Sequence, residues 1–134
     1  RQQRPEESMT LPTPSQRQTI LVVDDRPDVR RLFQRLLRRL GYEVLLAEDG
    51  RVALEVFDAS PIDLVLTDLV MPRMDGRTLA LTLQDDLPQL KVLITSGYTS
   101  QWPADRAIDP FPFLAKPFSP AELATRVRAV LDDG

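Results

Sequence analysis

What most constrains the fold of this chain is a recurring pair of patterns. A short, β-branched apolar run ends on a polar or acidic residue, and a segment with helical apolar spacing comes next. Ile20-Leu21-Val22-Val23 runs directly into Asp24-Asp25. A continuous apolar run of that length suits a strand buried on both faces. Behind it, Val29, Leu32, Phe33, Leu36, Leu37 and Leu40 recur at three- and four-residue spacing, with Pro27 in the first turn and Gly41 at the end. That spacing predicts an amphipathic helix. Tyr42 to Ala47 reads as a second strand, and Val52, Ala53, Val56 and Phe57 mark a helix that stops before Pro61. A third strand, Ile62 to Thr67, ends at Asp68, and a third helix runs from about Gly76 to Asp86, ahead of Pro88. Val92 to Thr95 is a fourth strand and Phe113 to Ala115 a brief fifth, before a last helix from Pro120 to Leu131.

This alternation predicts an α/β domain, with a parallel five-stranded sheet and helices on both faces. Residues 98–112 interrupt it: Pro103, Pro110 and Pro112 leave room only for a short helix, and Trp102 falls there as a core residue or an exposed contact. Arg1 to Gln18 is polar, with Pro5, Pro12 and Pro14, and reads as a flexible linker or an appended overhang ahead of a domain from 19 to 134. The chain opens on Arg1, which fits either a piece of a longer protein or a start at Met9.

Composition removes many chemistries. The 134 residues suffice for one ordinary domain, and 43% apolar with 28% charged residues is globular composition. There is no cysteine and no histidine. Disulfide scaffolds, thiolate metal sites, serine–histidine catalysis and a phosphohistidine on this chain are therefore excluded. A net charge of −3 argues against direct nucleic-acid binding. No apolar run approaches the roughly 20 residues that span a bilayer, so no membrane insertion is expected and a cytoplasmic location is the default. Carboxylates, hydroxyls and two lysines, Lys91 and Lys116, are left to carry function.

In open parallel sheets the ligand site lies at the carboxyl ends of the strands. Asp24 and Asp25 come after strand one, Asp68 after strand three, Thr95-Ser96 after strand four and Lys116 after strand five. Each has an ordinary use: Asp25 as a helix cap before Pro27, Asp68 and Ser96 as turn residues, Lys116 as a surface lysine. Together they point elsewhere. Two carboxylates about 4 Å apart repel by roughly 4 kcal/mol at an effective dielectric near 20, so three converging acids call for a cation or a proton. Hard oxygen ligands suit Mg²⁺, which also binds phosphoryl groups. Lys116 would hold an anionic oxygen, the Ser96 hydroxyl would donate to another, and Gly97 leaves room for the incoming group. An aspartate can itself be the nucleophile, giving an acyl phosphate.

The sequence resembles the receiver domain of two-component response regulators. The matching segments are Ile20-Leu21-Val22-Val23-Asp24-Asp25, Asp68-Leu69-Val70-Met71-Pro72-Arg73-Met74-Asp75-Gly76, Thr95-Ser96-Gly97-Tyr98 and Lys116-Pro117-Phe118. The resemblance runs from about Thr19 to Leu131. It implies a flavodoxin-like (βα)5 fold with strand order 2-1-3-4-5. It implies that Asp68 is the phosphoacceptor, with Mg²⁺ bound by Asp25, Asp68 and the Val70 carbonyl and by Asp24 mainly through water. It makes Ser96 the switch hydroxyl in preference to Thr95, Lys116 the phosphate-contacting lysine on a cis bond to Pro117, and Phe113 the aromatic switch residue. The implied donor is a histidine kinase or a histidine phosphotransfer domain. Phosphorylation would bias a surface around the fourth helix, fifth strand and fifth helix.

The resemblance fits either a stand-alone regulator or the C-terminal receiver of a hybrid histidine kinase, and leaves the oligomeric state open. The run of Arg26, Arg30, Arg31, Arg35, Arg38 and Arg39 against Asp28 is either a solvated helix face or a docking surface for an acidic partner. Two other classes fit part of the pattern. One is a phosphorylation-independent interaction module on the same fold. The other is a haloacid-dehalogenase-type phosphohydrolase, whose Asp-x-Asp pattern on strand one differs from the contiguous Asp24-Asp25 here.

Overall fold

The computed structural model describes residues 17–97 and 111–133. In chain order these form β1 (Thr19–Val23), α1 (Pro27–Arg39), β2 (Glu43–Ala47), α2 (Gly50–Ala59), β3 (Leu64–Asp68), α3 (Gly76–Asp86), β4 (Lys91–Ser96), β5 (Phe113–Ala115) and α4 (Pro120–Asp132). All strand pairs are parallel and the sheet order is β2-β1-β3-β4-β5. The parallel α/β fold expected from the alternation, in the flavodoxin-like strand order that the resemblance implies, is the fold observed. The expected short helix within 98–112, and Trp102 with it, lie outside the described residues except at Phe111 and Pro112.

Strand periodicity divides the core in two. Side chains alternate across a strand, so Leu21, Val23, Val65, Val92 and Ile94 meet Ala53 of α2 and Leu79, Ala80 and Leu83 of α3 on one face. Ile20, Val22, Leu64, Leu66 and Leu93 meet Phe33 and Leu37 of α1 and Leu123 and Val127 of α4 on the other. The central strand β3 is buried at every position, as its unbroken apolar run requires. The edge strands β2 and β5 are only partly covered.

Local chemistry sets the element ends. The apolar stripe of α1 buries Phe33 and Leu37 but leaves Leu32 38% and Leu40 43% exposed. Leu32 lies about 100° around the helix from Phe33, and Leu40 is the C-cap, past the last turn. Gly41 then takes φ 98°, which a side chain resists. Its N–H donates to Arg38 O and that of Tyr42 to Leu37 O, the paired bonds of a Schellman stop. Strand β3 starts at Leu64 rather than Ile62, and just before it the Asp63 carboxylate accepts from the Thr19 N–H at 2.7 Å. Gly76 opens α3 where any Cβ would lie 2.3 Å from the Asp68 carbonyl oxygen, so the start of α3 is pressed directly against the end of β3.

Candidate functional site

The carboxyl ends of β1, β3, β4 and β5 form one rim, and local bonds shape each part of it. Where β1 stops, Asp24 turns one carboxylate oxygen back onto the Arg26 N–H at 2.9 Å, the side-chain turn that Asp favours. Arg30, one turn into α1, donates to the Asp24 carbonyl at 2.7 Å. Helix α1 begins with Pro27, and its N-cap, Arg26, makes no side-chain cap bond. Asp25 is therefore not used as a cap and stays exposed. On the far side, the Lys116–Pro117 bond is cis, as the resemblance implies. Phe118 stacks on Phe33, with ring centroids 5.2 Å apart, anchoring the turn after β5 to α1.

These turns bring three acids and one lysine together. Oxygens of Asp24, Asp25 and Asp68 all lie within 4.8 Å of one another. Lys116 Nζ sits 3.3 Å from Asp24 Oδ2 and 3.6 Å from Asp68 Oδ1. Asp24 is almost fully buried and Asp68 is 9% exposed. Beside them a cleft of about 510 Å³ is lined by Asp25, Arg26, Asp68, Val70, Gly97, Lys116 and Pro117. Burial pushes the Asp68 carboxyl up to about 6 and the negative charges of Asp24 and Asp25 add to the rise, while Lys116 and the Val70 N–H bond oppose it. One ammonium does not balance three carboxylates. The donor set, all hard oxygens with space on one side, fits a divalent cation such as Mg²⁺.

The other expected residues lie on the same rim or just beneath it. Ser96 ends β4, is buried, and accepts the Lys116 backbone N–H on its carbonyl at 3.0 Å. Gly97 lines the cleft, and a Cβ there would meet Lys116 Cβ at an ordinary 3.8 Å. Val70 is exposed on the cleft wall. Phe113 is half-buried on β5 against the core shared with α2 and α3. Tyr98 lies outside the described residues.

Some contributors escape sequence reasoning. In the sequence Arg30 is only part of a basic face, yet it clamps the Asp24 backbone; its position one turn after the acidic pair is the available signal. Phe118 is only part of a motif there, with no sign of its stacking partner on α1. Arg73, in the turn after β3, takes φ 69° and lies 4.0 Å from Asp49; nothing in a Met-Pro-Arg-Met run announces that conformation.

A doubly wound parallel sheet with an acidic cluster and a lysine at its strand ends places this chain among α/β domains whose ligands bind at the carboxyl edge of the sheet. Residues 20–128 match the family model of the response regulator receiver domain, so the chain belongs to that family. It is 40% identical over 121 residues to the sensor kinase CckA of Brucella abortus, a match covering 85% of this chain and 12% of that protein. The solved receiver domain of the hybrid histidine kinase CckA is 38% identical with a TM-score of 0.72, covering 85% of this chain and 99% of that one. The response regulator TrrA of Thermotoga maritima, solved in complex with Mg²⁺ and BeF, is 32% identical with a TM-score of 0.72, covering 84% of this chain and 98% of that one. The chain spans about half the length of the curated transcriptional regulators it matches. Receiver domains are signalling phosphoacceptors that partner with histidine kinases or phosphotransfer proteins. Among the described residues no helix is long and apolar enough to cross a membrane.

Proposed function

We propose that this receiver domain takes a phosphoryl group onto Asp68 from a partner's phosphohistidine, with Mg²⁺ bound, and thereby switches a protein-binding surface. The observation that carries the reading is the meeting of Asp24, Asp25 and Asp68 with the Lys116 ammonium beside an open cleft. Asp25, Asp68 and the Val70 carbonyl would hold the metal, with Asp24 acting through water. When bound, the metal supplies positive charge to the transferring phosphoryl oxygens. A carboxyl sitting near 6 is mostly ionised at neutral pH, so Asp68 is a competent nucleophile without a separate base. Its free oxygen forms the new O–P bond as the donor's N–P bond breaks. The electron pair leaves on the imidazole nitrogen. Lys116 exchanges its carboxylate contacts for a phosphoryl oxygen, and the Ser96 hydroxyl donates to another.

The product carries about −1.5 to −2 charges where a single carboxylate stood, by analogy with other phosphorylated side chains. That change biases Ser96, Phe113 and the surface beyond them between two arrangements. The relationship to the CckA receiver supports an attachment to a hybrid histidine kinase, and the TrrA complex supports Mg²⁺ as the metal.

The test is incubation with Mg²⁺ and acetyl phosphate, beside an Asp68→Asn variant, with both proteins weighed intact. Gain of one phosphoryl group by the parent and none by the variant is the expected result. A parent that gains nothing from acetyl phosphate or from a phosphohistidine donor, and binds no beryllofluoride, overturns the reading in favour of a phosphorylation-independent module.

A further inference from the structure

We propose that Thr95, the buried residue paired with Asp68 across β3 and β4, is a positioning residue for the Asp68 carboxyl. The inference rests on the reading of Asp68 as the phosphoacceptor. Thr95 is fully buried, and among the described residues its Oγ1 is the buried side-chain polar atom without a hydrogen-bond partner. An unmet buried hydroxyl is costly, and valine has the same shape without it. The neighbouring buried threonine makes the contrast. Thr67 donates its hydroxyl to the Asp68 carbonyl at 3.0 Å. A buried threonine hydroxyl at 95 with nothing to bond points to a use in another arrangement of the site.

The register says where that use lies. Thr95 is paired with Asp68 on β3 and with Leu114 on β5. Directly paired residues on neighbouring parallel strands stand on the same face, about 5 Å apart. The Leu69 N–H donates to the Thr95 carbonyl at 2.8 Å, which fixes this pairing up to the rim. Gly97 and Lys116 lie two residues beyond Thr95 and Leu114, hence on the same face and one row nearer the cleft. The contact of the Gly97 position with Lys116 Cβ agrees. Thr95 thus lies one row below Lys116 and directly across from Asp68.

In the present arrangement the carboxylate is held by Lys116 Nζ and the Val70 N–H. Once Lys116 turns to a phosphoryl oxygen, Asp68 loses a donor from that side. Thr95 Oγ1 is the group placed to donate in its stead, keeping the attacking oxygen in line. Thr95 acts through Asp68 and touches neither the phosphoryl donor nor the metal.

The experiment compares the parent with Thr95→Val and Thr95→Ser. It measures the rate of phosphoryl gain from acetyl phosphate with Mg²⁺, and thermal unfolding. Thr95→Val is expected to unfold at the parent temperature or above, because an unmet hydroxyl is removed, yet to gain phosphoryl about tenfold more slowly. Thr95→Ser, which keeps the hydroxyl, is expected to return to within about twofold of the parent rate. A Thr95→Val protein that matches the parent rate overturns the proposal. So do rates that fall in both variants in step with lost thermal stability, the mark of a merely structural residue. If the parent itself gains no phosphoryl from any donor, the reading of Asp68 fails and this inference falls with it. A phosphorylated parent with an unaffected Thr95→Val fails this inference alone.

Discussion

Among the described residues, the aspartates that follow the strands on the rim above the sheet divide into two groups. Asp49 and Asp75 each stand one residue before a helix, and their carboxylates accept from Val52 N at 2.9 Å and Thr78 N at 2.7 Å. Asp24, Asp25 and Asp68 also sit at strand ends but cap nothing, and converge on one another instead. The difference lies in the residues just beyond each acid. Helices α2 and α3 open with Gly50 and Gly76, whose neighbours offer free N–H groups to an acid directly before them. Helix α1 has Arg26 in the cap position, so Asp24 and Asp25 stand too early in the chain to reach its first-turn N–H groups. Asp68 is separated from α3 by a seven-residue turn, so its side chain is left facing the cleft. One residue type on one rim is therefore structural where a helix start satisfies it, and available for chemistry where none does.

The sharpest break between the groups is their expected effect on stability. The unfolded pKa of Asp68 is near 3.8 and its folded value about 6, so between these the folded state binds more protons. Stability then falls as pH rises through that window and stays reduced above it. At 1.36 kcal/mol per unit, ionised Asp68 costs the metal-free fold up to about 3 kcal/mol at neutral pH. Asp68→Asn should consequently be more stable than the parent at pH 7, with the advantage closing as pH falls toward 4. Mg²⁺ should narrow the gap by stabilising the parent more than the variant. Denaturant unfolding at pH 7 and pH 4, with and without Mg²⁺, reads all of this. An Asp68→Asn protein less stable than the parent at pH 7 would put Asp68 among the structural aspartates and erase the distinction.

The capping group predicts the opposite sign. Asp49→Ala and Asp75→Ala should each lower stability by about 1 kcal/mol, the usual worth of an N-cap side chain. The same unfolding measurement at pH 7 reads the loss. A rise in stability from either substitution would show that these acids, too, are held at a cost.

Much of this arrangement is legible in the sequence. The strands are readable because a parallel sheet buries both faces and so leaves unbroken apolar runs, as in Leu64-Val65-Leu66. The acids and Lys116 can be placed because topology puts strand ends together whatever the loops do. The split among the aspartates is harder to read. Asp25 before Pro27 looks like a cap until one notes that Arg26 stands between it and the helix, in the cap position. The roles of Arg30 and Phe118 depend on long side chains reaching across turns, where neither periodicity nor spacing constrains them. Leu32 falls within the apolar stripe of α1 by spacing, yet it sits at the stripe's margin, where only the position of the sheet decides burial.

Arg73 gives the finest test, because it joins the two groups. It lies in the turn between Asp68 and Asp75, and its guanidinium approaches Asp49 at 4.0 Å with the arginine side chain 81% exposed. An ion pair so open to solvent contributes little. Its backbone, at φ 69°, is in the left-handed region that costs a non-glycine residue on the order of 1 kcal/mol. Glycine would relieve that strain but return a comparable entropy on unfolding, so Arg73→Gly should change stability by less than about 0.5 kcal/mol. Asparagine tolerates the left-handed region without glycine's freedom, so Arg73→Asn should gain about 0.5 kcal/mol. Should Arg73→Asn instead lose about 1 kcal/mol or more, a cost on the scale of a lost cap, the contact with Asp49 is holding the cap of α2 in place. The turn of Asp68 and the start of α2 would then be one coupled unit, and a double substitution with Asp49→Ala would fall short of additivity by that amount.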